Sequence, residues 1–160
     1  MIDVINDKKF RKKFIDETRI ISMIGHLDKC YAEFITMFPS TIKEYKNNIE
    51  KRRACERTIQ ILIEGCIDIC NLLVKELKLG LANEEEQIFE LLTQKNVISE
   101  ELALKLKQMK QFRNVLVHMY TDIDDELAYD DMKQHKDIMI FKKEIMEFIQ
   151  ENKTHIKRFK

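Results

Sequence analysis

Apolar residues recur at three- and four-residue steps along nearly the whole chain, and that spacing restricts the fold more than any other feature. Phe10, Phe14, Ile21, Ile24, Leu27, Tyr31, Phe34 and Phe38 predict a helix from about Asp7 to Phe38, closed by Pro39. Thr41 and Glu44 have the spacing of a capping box and open a long second helix. It is carried to Gly80 by Ile42, Tyr45, Ile49, Ile59, Ile63, Cys66, Cys70, Leu73 and Leu77. The frame slips between Ile49 and Ile59, around Lys51, Arg52 and Arg53, which leaves room for a break or bend. Asn83 and Glu86 open a short third helix through about Lys95, ended by Asn96. Ser99 caps a fourth, which carries Leu102, Leu106, Met109, Phe112, Leu116 and Met119. The acidic residues Asp122, Asp124 and Asp125 suit the start of a fifth helix. That helix reaches about Asn152 and holds Met132, Ile138, Met139, Phe141, Ile145, Phe148 and Ile149 inside.

Three glycines and one proline in 160 residues are too few for the turns of a β-rich fold. The expectation is an all-α, antiparallel helical bundle of about five helices, forming a single domain over residues 1–160. The N-terminus is charged rather than apolar and predicts no secretory signal, so a cytoplasmic location is the default. The run from Ile59 to Val74 is interrupted by Gln60, Glu64, Asp68 and Asn71, which argues against a membrane span.

Lys plus Arg and Asp plus Glu each total 28, so no global field draws nucleic acid to this chain. Any such contact must be local. Basic clusters at Lys8 to Lys13, at Lys51, Arg52, Arg53 and Arg57, and from Lys153 to Lys160 read first as solvated helix faces and ends. Cys30, Cys55, Cys66 and Cys70 lie in helical patterns and read as small buried hydrophobes. Their spacing matches no standard zinc motif, so no metal is expected. His26, His135 and His155 have no partner pattern and read as surface groups.

The fourth helix carries something its apolar pattern does not need: Arg113, Asn114, His118 and Tyr120 in one short stretch. At about 100° per residue, Asn114 and His118 share nearly one face of a regular helix, and Arg113 lies about 140° from His118. Arg113 and His118 meet on one substrate only if the helix ends or distorts near His118, if the arginine reaches round, or if a second subunit supplies the partner. Cleaving an RNA phosphodiester requires a base for the 2′-hydroxyl, an acid for the leaving 5′-oxygen and positive charge on the phosphorane. A histidine serves as either base or acid, contributing roughly 10²–10⁴-fold. An arginine presents a charged fork matched to phosphate oxygens. One imidazole cannot easily stand on both sides of phosphorus, so two copies of the pair across a dimer cleft are the natural solution.

The string Arg113-Asn114-Val115-Leu116-Val117-His118-Met119-Tyr120 resembles the HEPN ribonuclease motif, in the variant with a tyrosine two places after the histidine. That variant is similar to the HepT-like toxins. Ala54-Cys55-Glu56-Arg57, Ile67-Asp68-Ile69 and the run from Leu91 to Met109 into Phe112-Arg113-Asn114 follow the same pattern, so the resemblance covers about Ile49 to Ile145. It implies a metal-independent endoribonuclease toxin acting as a homodimer without a cofactor, with Arg113 and His118 catalytic and Asn114 assisting. It further implies a minimal nucleotidyltransferase antitoxin as partner, with Tyr120 as the acceptor of AMP. Nucleotidyl phosphate beside the cleft would repel incoming RNA.

Weaker candidates surround this set. Gln60, Glu64, Asp68 and Asn71 make a polar stripe suited to an interface or a cleft. Asp68 is a candidate to hold Arg113 or His118, though a polar contact between helices or a wet edge is the more common role for such a group. Glu64, Glu56 and Arg57 complete the supporting set, the last two as groups that pair with a neighbour or reach the dimer seam. The rival reading is a non-catalytic helical adaptor that binds a nucleotidyltransferase or a nucleotide. It has no physical need for all four motif residues at this spacing.

Overall fold

The computed structural model describes residues 16–118 and 122–158, with side chains described as far as Asn152. Among these residues there is helix and no strand: α1 (Glu17–Met37), α2 (Ile42–Asn47), α3 (Ile49–Glu76), α4 (Glu85–Gln94), α5 (Glu100–Val117), α6 (Asp125–Met132) and α7 (Asp137–Arg158). Each of the five expected spans is helical within its described residues, and two of them are divided. The second breaks at Asn48, just ahead of the basic cluster, where the Asn48 side chain accepts from the Lys51 backbone N–H and starts α3 afresh. The fifth breaks over residues 133–136, so α6 and α7 meet at a corner. Residues 1–15, with Phe10, Phe14 and the basic cluster there, lie outside the described residues, as do Met119 and Tyr120 and the side chains of the basic tail, His155 included.

Helix ends follow local chemistry. Thr41, Ser99 and Asp124 each accept backbone N–H groups of the first turn that follows. The expected cap at Asn83 is not formed; its N–H donates to the Gln87 side chain and α4 begins two residues later. The long helix stops at Glu76 rather than Gly80, because Lys78 turns left-handed (φ 51°) and the N–H of Leu79 closes on the Val74 carbonyl. Asn96 (φ 54°) ends α4 the same way, with Val97 closing on Leu92.

α3 is the central element, packed by α1, α2, α4, α5 and α7. Gly65 lets α1 come close, since a Cβ there would stand 2.7 Å from Leu27 Cδ2. The core gathers Ile24, Leu27, Tyr31 and Phe34 from α1, Ile59, Leu62, Ile63, Cys66 and Leu73 from α3, and Phe112 and Leu116 from α5. Ile138, Phe141, Ile145 and Ile149 add the buried face of α7. Ile21 and Ile49, both expected inside, are exposed; Ile20 takes the inward place on α1 instead.

Two expectations about polar residues are corrected. The cluster at the start of α3 is not simply solvated: Arg52 is 16% exposed and pairs with Asp125 of α6 at 3.2 Å, Lys51 pairs with Glu44, and Arg53 with Glu56. His135 is not a surface group. It is half-buried at the α6–α7 corner, its Nδ1 hydrogen-bonded to the Tyr31 hydroxyl at 2.8 Å, with the rings of Phe34 and Phe38 against it.

Burial first, and then the nearby Lys136 charge, hold the His135 imidazole below its usual range, while an unfolded chain leaves it near 6.5. The stability this contributes is complete above about pH 6.5 and is lost as pH falls toward the depressed value, because the unfolded chain binds the proton first. Urea unfolding between pH 7.5 and 5.5 should show a fall in midpoint that His135→Gln reduces. Equal slopes for both proteins would contradict this assignment.

Candidate functional site

Phe112 and Leu116 are buried and fix the last turns of α5 to the bundle. The residues between and beyond them are thereby turned outward: Asn114, Val115, Val117 and His118 are exposed. α5 ends at Val117, and His118 follows in non-helical torsions (φ −93°, ψ 40°) while its N–H still donates to the Asn114 carbonyl at 3.2 Å. Of the conditions under which Arg113 and His118 can face one substrate, the structure supplies the helix end.

Arg113 is only 15% exposed on its side chain. Its Nε donates to Asn114 Oδ1 at 3.0 Å and its Nη2 to Glu85 Oε2 at 2.6 Å. Asn114 therefore touches both neighbours, the arginine through its side chain and the histidine through its backbone. Glu85 is the first residue of α4, a third of its side chain exposed, and sequence reasoning did not single it out. The run Glu84-Glu85-Glu86 reads in sequence as ordinary acidic residues at a helix start. The signal lies in pairing with α5: Glu85 with Arg113, Glu86 with Lys110 at 3.5 Å and Glu90 with Lys107 at 3.8 Å, an antiparallel ladder.

The four candidates on α3 make no bond to the Arg113 guanidinium among the described residues. Glu56 is buried at 1% exposure, and its two oxygens accept from the Tyr45 hydroxyl at 2.8 Å and from Arg53 at 2.9 Å. Burial, then the Glu56 bond, raises the Tyr45 hydroxyl far above its usual range, so it stays a donor. Arg57 and Asp68 are exposed, and Glu64 accepts from Gln60 at 3.0 Å. The carboxylate that holds Arg113 is Glu85 on α4 and not Asp68. Tyr120 lies outside the described residues.

A cavity of about 50 Å³ opens beside Phe112, lined among others by Ile59, Met109, Lys105 and His135. Ligand pockets run to roughly 300–1,000 Å³, so this one is too small for a nucleotide. Among the described residues no group of three or more His, Cys, Asp or Glu is arranged to hold a metal ion, and no helix is long and apolar enough to cross a membrane.

The family profile described as "Ribonuclease HepT-like" matches residues 27–151. The chain is 26% identical over 116 residues to "mRNA nuclease HepT" of Shewanella oneidensis, spanning 72% of this chain and 86% of that protein. It is 30% identical over 116 residues to "tRNA nuclease HepT" of Aphanizomenon flos-aquae, spanning 72% of this chain and 76% of that one. A solved tri-AMPylated HEPN toxin of S. oneidensis, in complex with an MNT antitoxin, matches the fold with a TM-score of 0.70. There the identity is 25%, over 82% of this chain and 96% of that chain. The fold is that of the HEPN superfamily. Within it, the chain belongs to the HepT-like ribonuclease family and is by that membership an endoribonuclease.

The cysteines give a test of the packing around the site. Cys55, Cys66 and Cys70 are buried, and burial pushes the Cys55 thiol up to about 11 and raises the other two as well. Cys30 is only partly covered. A thiol reagent should therefore label one cysteine rapidly in the native protein, and Cys30→Ser should remove that phase. Rapid labelling of several thiols would show α3 less tightly packed than described.

Proposed function

We propose that this chain is the toxin of a toxin–antitoxin pair, a metal-independent endoribonuclease in which Arg113 and His118 act on the scissile phosphate at a cleft between two copies. One observation carries the reading: Arg113, Asn114 and His118 form a single bonded unit at the point where α5 stops. In this scheme the Arg113 guanidinium binds a non-bridging oxygen and stabilises the phosphorane. His118 of one copy takes the 2′-proton while its counterpart protonates the leaving 5′-oxygen, giving a 2′,3′-cyclic phosphate. Asn114 orients both groups. Val115 and Val117, each 49% exposed, flank the motif with apolar surface that a second copy would cover.

Family relatives named as mRNA and tRNA nucleases support RNA as substrate. The complex of an AMPylated relative with its antitoxin supports a nucleotidyltransferase partner here. Control then falls to Tyr120, two residues beyond His118: a phosphodiester there places negative charge and a nucleoside beside the catalytic pair, and RNA phosphate is repelled.

Two experiments test this. Expression of the wild type should arrest growth and leave RNA with 2′,3′-cyclic phosphate ends, and Arg113→Ala or His118→Ala should each lose both effects while the dimer persists on a sizing column. Equal toxicity from all three proteins would refute the catalytic assignment. Co-expression with a cognate nucleotidyltransferase should add the mass of AMP to wild type and not to Tyr120→Phe. Neutralisation without added mass would instead mean that the partner simply covers the cleft.

A further inference from the structure

We propose that Glu85 is the positioning residue of the cleavage site, a role that rests on the reading of Arg113 as the phosphate-binding group. A free arginine side chain has rotamer entropy that must be lost before its fork can meet a phosphorane. Here the loss is taken on folding. The Glu85 carboxylate reaches the guanidinium at 2.6 Å, a charge-assisted bond, and Asn114 holds Nε at 3.0 Å.

Glu85 is well placed for this. It stands in the first turn of α4, where the helix dipole favours an ionised carboxylate, and the cap position before it, Glu84, makes no side-chain cap bond. The other rungs of the ladder, Glu86 with Lys110 and Glu90 with Lys107, are at 3.5 and 3.8 Å. Those rungs, with buried Ile88, Phe89 and Leu92, keep α4 in register on α5 without Glu85. The close rung is the one that reaches the motif.

The test is single-turnover cleavage of a total-RNA preparation by the full chain, read as 2′,3′-cyclic phosphate ends, beside thermal unfolding and sizing of each protein. Misplacing a reacting group by about 1 Å costs on the order of 10²-fold, so Glu85→Ala should cleave 10- to 100-fold more slowly at saturating protein. Glu85→Gln, which keeps an acceptor for Nη2, should recover part of that loss. The melting temperature and dimer should change little. In an Arg113→Ala background, Glu85→Ala should cause no further loss, because its effect passes through the arginine. A Glu85→Ala protein that cleaves as fast as wild type, or faster, overturns the assignment, as does a loss that multiplies with that of Arg113→Ala. An Arg113→Ala protein with full activity overturns the reading of Arg113 as the phosphate-binding group, and this assignment with it.

Discussion

The placement of the motif depends on how Phe112 and Leu116 hold the end of α5 against the bundle. Two buried side chains four residues apart fix the rotation of the last turn, and Asn114 and His118 then face solvent without choice. On a continuing helix Arg113 and His118 would diverge by about 140°. Ending the helix at Val117 releases His118 from that geometry while one backbone bond still ties it to Asn114. Loss of either anchor would leave the polar groups intact and their relation undefined.

Around that anchor the charges are arranged in pairs. The chain carries no net charge, and near the site each cation of α5 that faces α4 has a carboxylate opposite it. At the other end of the motif's connection, Arg52 and Lys46 pair with Asp125 and Glu126 in the first turn of α6.

Most of the fold was legible in sequence because helical periodicity records burial directly: Ile24, Leu27, Tyr31, Phe34, Ile59, Ile63, Leu102, Leu106 and Leu116 all lie in the core as the spacing required. The divisions at Asn48 and at residues 133–136 were less legible, since capping by Asn48 competes with continuation on equal terms and the α6–α7 corner carries no proline or glycine. Within the site, Arg113, Asn114 and His118 could be chosen because polar groups on an otherwise apolar helix need a reason. The partner of Arg113 could not. Glu85 is 28 residues away, and only tertiary pairing separates it from Glu84, Glu86, Glu64 and Asp68. His135 was misread for a similar reason: its burial comes from Tyr31, Phe34 and Phe38 on a distant helix.

The central claim is that one phosphodiester is flanked by imidazoles from two chains, one removing a proton and the other supplying one. Its most direct test is a mixed dimer, purified with one wild-type chain and one His118→Ala chain and assayed for RNA cleavage. The account predicts almost complete loss, since the remaining imidazole stands on one side of phosphorus only. Retention of half the wild-type rate would mean that each chain carries a complete site of its own, and would contradict it.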